Sequence, residues 1–107
     1  MGTEDDDIIH GTPGNDYIRA VGGDNRIFGH GGDDFIVLGP GDDFADGEGG
    51  SDEIHGGAGN DWIDGNGGTD TLSGDGGDDV LLGGSYADTI YAGPGNDIVD
   101  GGGGPDL

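Results

Sequence analysis

The sequence predicts an all-β solenoid, a single domain of short parallel strands stacked in register. Three observations lead there. A nine-residue unit recurs without insertion or deletion from Gly2 to Leu107, giving eleven full copies and a seven-residue remainder. One place in the unit is apolar in every full copy, and another is acidic in all copies but one. The unit is clearest in Gly56-Gly57-Ala58-Gly59-Asn60-Asp61-Trp62-Ile63-Asp64, whose residues define places 1 to 9. A fixed period of this length is the signature of repeat architectures, in which each copy buries its apolar side only against its neighbours.

The first half of the unit reads as a tight turn. Place 1 is glycine except at Ala20, Leu38 and Ala92, and place 4 is glycine except at Asp5 and Tyr86. These glycines permit positive φ and close approach of backbone, so places 1 to 6 are predicted to turn. Places 7 to 9 follow as a short strand. Place 8 holds Ile9, Ile18, Ile27, Ile36, Ala45, Ile54, Ile63, Leu72, Leu81, Ile90 and Val99, the composition of a strand facing a core. Side chains alternate along a strand, so places 7 and 9 point outward. A three-residue strand cannot stand alone and has to stack on its copies.

Place 6 carries the chemistry. It holds Asp7, Asp16, Asn25, Asp34, Asp43, Asp52, Asp61, Asp70, Asp79, Asp88, Asp97 and Asp106. A solvated acidic face would scatter its charges and mix Asp with Glu; this column does neither. The repeat offers only oxygen, one carboxylate per turn plus carbonyls that glycine leaves uncovered. Hard oxygen donors suit calcium or magnesium, whereas zinc or copper would want His or Cys at a fixed place. Six to eight oxygens in an adaptable cage favour calcium over octahedral, water-retaining magnesium.

The unit resembles the RTX (repeats-in-toxin) nonapeptide G-G-x-G-x-D-x-U-x, and the resemblance covers essentially the whole chain. It implies a right-handed parallel β-roll in which two nonapeptides make one 18-residue coil and odd and even repeats build opposite sheets. About six coils follow, a rod roughly 25 to 30 Å long at the ~4.8 Å strand spacing. It further implies calcium between the turns of repeats n and n+2, held by the place 6 residues of both turns. Backbone carbonyls would complete the shell, drawn from Gly11 and Gly14, from Gly29, Gly31 and Gly32, from Gly47, Gly49 and Gly50, and from Gly56, Gly57 and Gly59. Gly65, Gly67 and Gly68 would serve likewise, with Gly74, Gly76 and Gly77, then Gly83 and Gly95.

Twelve turns paired in this way give five positions on each edge, ten in all. Asn25 keeps an oxygen but loses a charge, Tyr86 replaces a turn glycine, and Asp5 cannot mimic one, so eight to ten ions are expected. The apolar places bury too little to offset the ordering of 30 glycines, and folding is therefore expected to wait for calcium.

Charge and composition exclude other classes. A formal charge of −22 with two arginines and no lysine argues against nucleic acid and anionic membranes as partners. There is no cysteine, no apolar run of bilayer length, and no basic and apolar leader at the N-terminus. His10, His30 and His55 fall at unrelated places and read as solvated surface, while no serine keeps a fixed relation to a histidine. No enzyme is expected. Outward place 7 of the odd repeats reads Ile8, Arg26, Phe44, Trp62, Val80 and Ile98, an apolar face suited to a second copy or a neighbouring domain through Phe44, Trp62 and Val80. The even repeats read Tyr17, Phe35, Glu53, Thr71, Thr89 and Leu107, which is more polar. The resemblance places such rolls in extracellular proteins exported by type I secretion. A ligand-binding or adhesive module for polysaccharide or protein is the alternative use of the scaffold.

Overall fold

The computed structural model describes residues 2–105; Asp106 and Leu107, expected to carry the last carboxylate and an outward place, lie outside the described residues. Among the described residues there is no helix, and every strand occupies places 7 to 9 of its repeat. In chain order these are β1 (Ile8–His10), β2 (Tyr17–Arg19), β3 (Arg26–Phe28), β4 (Phe35–Val37), β5 (Phe44–Asp46) and β6 (Glu53–His55). They continue with β7 (Trp62–Asp64), β8 (Thr71–Ser73), β9 (Val80–Leu82), β10 (Thr89–Tyr91) and β11 (Ile98–Asp100).

The odd strands form one sheet in the order β1-β3-β5-β7-β9-β11, and the even strands form the other, β2-β4-β6-β8-β10. All pairings are parallel and join residues 18 apart, such as Ile27 with Ala45 and Ile54 with Leu72. The ladder also extends past each strand. The place 6 carbonyl accepts from the place 7 N–H of the next coil, as from Arg26 to Asp7 at 2.9 Å, and the place 1 N–H donates to a place 9 carbonyl, as from Gly47 to Asp64 at 2.9 Å. This is a β-solenoid with an 18-residue coil.

The core is the column of place 8 side chains between the sheets, from Ile18 to Leu81. Ala20 and Leu38, which stand where glycine is the rule, belong to it and are fully buried. Ile9 and Ile90 pack partly against it, and Val99 is exposed, since no described strand of the even sheet lies across from the last odd strand. The body measures 37 × 33 × 13 Å, a flat slab and not the expected rod. The two turns of each coil lie on opposite edges and make the coil as wide as the stack is tall, while two facing sheets set the thin dimension.

The turn differs in one respect from the expectation. Positive φ falls at places 2 and 4, not at places 1 and 4. At place 4 it is met by glycine, as at Gly50 (φ 104°), with Tyr86 (φ 74°) forced into the same conformation. At place 2 it is tolerated by His30 (67°), Glu48 (67°), Asn66 (65°) and even the β-branched Val21 (83°). Place 1 glycine serves a different purpose.

Candidate metal centre

The place 6 residues stack in two columns, one per edge. The odd turns bring together Asp7, Asn25, Asp43, Asp61, Asp79 and Asp97; the even turns bring together Asp16, Asp34, Asp52, Asp70 and Asp88. In each column the backbone N–H of one place 6 residue donates to the side-chain Oδ1 of the residue two repeats on. The nine rungs run from 2.7 to 3.0 Å, from Asp7 N to Asn25 Oδ1 at one end to Asp79 N to Asp97 Oδ1 at the other. The pairing of n with n+2 is thus built into the backbone.

The second carboxylate oxygen is the critical atom. Asp34, Asp43, Asp52, Asp61, Asp70 and Asp79 are at most 3% exposed, and the Oδ2 of each is buried without a hydrogen-bond partner. Burying an ionised carboxylate without a partner is costly, so the group either takes up a proton or meets a cation. Burial accordingly pushes the carboxyl of Asp43 up to about 6, those of Asp52 and Asp70 to about 7, and that of Asp61 to about 8. The hydrogen bond from the preceding turn's N–H opposes the rise, and neighbouring aspartates add to it. Asp34 and Asp79 shift upward for the same first cause.

Place 1 glycine keeps room beside that oxygen. A methyl group at Gly29 would lie 2.6 Å from Asp34 Oδ2 and 3.0 Å from the Gly47 carbonyl; at Gly56 it would meet Asp61 Oδ2 at 2.6 Å and the Gly74 carbonyl at 2.7 Å. Gly74 with Asp79 and Ala92, and Gly83 with Asp88 and Gly101, repeat the arrangement, and Gly47 and Gly65 stand against Asp52 and Asp70. One carboxylate oxygen of turn n and one carbonyl oxygen of turn n+2 therefore converge on a cradle that any Cβ would fill.

The carbonyls divide consistently. Inter-turn backbone hydrogen bonds among the described residues end on carbonyls of places 2, 6 and 9, and none ends on places 1, 3, 4 or 5. The expected donors at place 1 (Gly11, Gly29, Gly47, Gly56, Gly65, Gly74 and Gly83), place 3 (Gly31, Gly49, Gly67 and Gly76) and place 4 (Gly14, Gly32, Gly50, Gly59, Gly68, Gly77 and Gly95) keep those carbonyls uncommitted to the ladder. Gly57, at place 2, accepts from Gly76 N at 3.2 Å. No three His, Cys, Asp or Glu side chains gather at one point among the described residues. With at most two carboxylates to a position, any shell must be completed by carbonyls, and an all-oxygen donor set of this kind fits calcium.

Three turns depart from this pattern. Asp7 Oδ2 accepts from Thr3 N (2.7 Å) and Thr3 Oγ1 (3.0 Å), and Asp16 Oδ2 accepts from Thr12 N (2.6 Å) and Thr12 Oγ1 (3.1 Å). Threonine at place 2 resists positive φ, and the turn refolds so that its N–H and hydroxyl cap the carboxylate. In the third, Asn25 donates from its amide to the carbonyls of Gly22 and Gly23.

Place 5 contributes a second ladder, running the opposite way. On the odd edge Asp24 N donates to Asp6 Oδ1, and the series continues unbroken through Asp42, Asn60 and Asp78 to Asn96 at 2.7 to 2.8 Å. On the even edge it runs from Asn15 through Asp33 to Ser51, after which Thr69, Ala87 and Pro105 carry no counterpart. The signal was present in the sequence as a run of Asp and Asn at place 5. The histidines also meet partners unforeseen from spacing. His10 Nδ1 lies 3.0 Å from His30 Nε2, His30 Nδ1 lies 3.2 Å from Glu48, and His55 Nε2 lies 2.7 Å from Glu53. All are partly solvated.

Fold and site together define a class: a parallel β-solenoid whose edges carry columns of buried carboxylates set against free carbonyls. A family model describing four copies of the RTX calcium-binding nonapeptide repeat matches residues 1–36, 10–45, 37–72, 46–81 and 73–107. The chain belongs to this family of calcium-binding repeats, whose members are structural modules. Comparison with curated proteins and with solved structures gave no match.

Proposed function

We propose that this chain is a calcium-folded β-roll, a module of an extracellular protein exported by type I secretion, which stays unfolded where calcium is scarce and folds where it is plentiful. One observation carries the reading: six place 6 carboxylates in adjacent coils each bury an oxygen that nothing in the protein satisfies. Calcium, when bound, supplies the positive charge and coordination that these oxygens lack. The place 6 residues hold position through their Oδ1 rungs, their Oδ2 atoms face the cradles, and the place 1 carbonyl of the turn two repeats on borders the same space. The proposed ligand set is the place 6 column from Asp7 to Asp106 with these carbonyls, taking eight to ten ions.

Circular dichroism in EDTA and in millimolar calcium tests the coupling. Random coil in EDTA and β structure in calcium are expected; a metal-free spectrum already rich in β structure at neutral pH would sink the idea.

A second role rests on the outer face of the odd sheet, where Ile8 (67%), Trp62 (45%) and Ile98 (64%) are exposed. Phe44 and Val80 are half-buried between them, and the Arg26 guanidinium lies 5.6 Å over the Phe44 ring and 5.9 Å over that of Phe28. We propose this face as a contact for a second copy. Sedimentation in calcium should show a dimer that Trp62→Ser abolishes; a strictly monomeric parent disposes of it.

A further inference from the structure

Asn25 is the one described place 6 residue that is not aspartate, and the disposition of its amide decides what its turn can hold. Its Oδ1 accepts from Asp7 N–H at 2.8 Å, as the aspartate Oδ1 atoms do in their own rungs. The other half of the group differs. Where Asp34, Asp52, Asp61 and their counterparts bury an oxygen without a partner, Asn25 buries an NH₂ that donates to the Gly22 carbonyl at 3.1 Å and the Gly23 carbonyl at 3.2 Å.

The orientation is forced by chemistry. Flipping the amide would set its oxygen against two carbonyl oxygens and its NH₂ against the Asp7 N–H. The backbone N–H of Asn25 keeps the ordinary rung to Asp43 Oδ1 at 2.7 Å, and Asp43 Oδ2 stays without a partner. Two carbonyls of the turn are thus drawn to one NH₂ group, acceptors of the kind that elsewhere in the roll are left to a positive charge. Ala20, at place 1 of this turn, is fully buried and points a methyl group where other turns keep glycine. On the far side, the Asp7 carboxylate is already held by Thr3.

We propose that the Asn25 amide stands in for a cation at the carbonyls of Gly22 and Gly23, and so closes the position between the turns of Asn25 and Asp43. Having neither charge nor a free carboxylate oxygen, Asn25 also closes the position between Asp7 and Asn25. Within the folded roll the seam through these turns therefore takes no calcium, and the ten pairings of twelve turns fall by two to eight. The inference rests on the calcium reading above and makes it quantitative on one edge.

Native mass spectrometry of the full chain saturated with calcium tests it, applied to the parent, Asn25→Asp and Asp61→Asn. Asn25→Asp is expected to bind about two ions more than the parent, and Asp61→Asn about two fewer while still folding. Equal counts for parent and a folded Asn25→Asp overturn the inference and leave the calcium reading standing. If Asn25→Asp does not fold at any calcium concentration, Asp61→Asn decides. A folded protein that has lost ions supports the amide as a substitute, and a chain left unfolded at calcium levels that fold the parent overturns it. A parent that binds no calcium overturns the calcium reading itself, and this inference with it.

Discussion

The two edges of the slab are built from the same repeat and solve the same problem differently. On the even edge every place 1 residue is glycine and every place 6 residue is aspartate, so the turns of Asp34, Asp52 and Asp70 depend on something outside the chain to satisfy their buried oxygens. On the odd edge the turns of Asp7 and Asn25 have exchanged that dependence for protein groups. Ala20 and Leu38 extend the core into the place 1 position, Asn25 supplies an amide, and the place 5 ladder runs the full height from Asp6 to Asn96. On the proposed reading a metal-binding turn and a self-sufficient one differ by two side chains, Ala20 and Asn25, on an unchanged backbone period.

The largest difference between the edges should appear when calcium is limiting. Hydrogen exchange followed by mass spectrometry is expected to show the turns of Asp52 and Asp70 losing protection before the turn of Asn25, by on the order of 100-fold in exchange rate. Simultaneous loss on both edges would erase the distinction.

Acidity should act in opposite directions with and without metal. In EDTA the raised carboxyls of Asp52, Asp61 and Asp70 lie at about 7, 8 and 7, against 3.8 for an ordinary aspartate. A folded-state value above the unfolded one gives stability that is complete below about pH 4 and is lost as pH rises through 6 to 8. The metal-free chain is therefore expected to gain β structure on acidification. In calcium the sign reverses, because the ligands must be deprotonated. Circular dichroism across pH 3 to 9 in both media (roughly the span of these groups) checks both signs. Asp43, raised by burial to about 6, should titrate below Asp52, Asp61 and Asp70.

Single substitutions sharpen the contrast further. Gly65→Ala would press a methyl group against Asp70, 2.9 Å from its Cγ, and should raise the calcium midpoint for folding about tenfold. Leu38→Ala on the odd edge should cost about 2 to 5 kcal/mol at saturating calcium through the cavity it leaves, with the ion count unchanged. Smallest of all, Asp42→Ala removes one rung of the exposed place 5 ladder and should cost about 0.5 to 1.5 kcal/mol, measured by urea unfolding in calcium.

The architecture was legible because it follows from counting. A strict period of nine with Ile or Leu at place 8 leaves parallel stacking as the one way to bury those side chains, and the observed register joins residues 18 apart. The place 6 column was legible for the same reason. What escaped was whatever depends on a backbone angle or on which atom of a side chain faces inward. Positive φ at place 2 left only a diluted trace, because His30, Glu48 and Val21 accept it beside Gly39, Gly57, Gly84, Gly93 and Gly102, whereas the commoner glycine of place 1 marks space beside an aspartate and not a turn angle. Ala20 and Leu38 read as lapses in a glycine pattern and proved to be core. Asn25 read as a weakened aspartate, because composition does not reveal whether an amide presents its oxygen or its nitrogen.

The rungs of the place 6 column all point one way: each turn offers its N–H to an oxygen supplied by the coil that follows it. In this column a turn is completed by its successor, like a zip in which every tooth is locked by the next. On the odd edge the place 5 series locks in the reverse sense, so each tooth is gripped from both neighbours. Beyond Ser51 the even edge keeps its place 6 rungs and the backbone ladder without that second side-chain series, so a gap opened there meets one lock fewer in each coil.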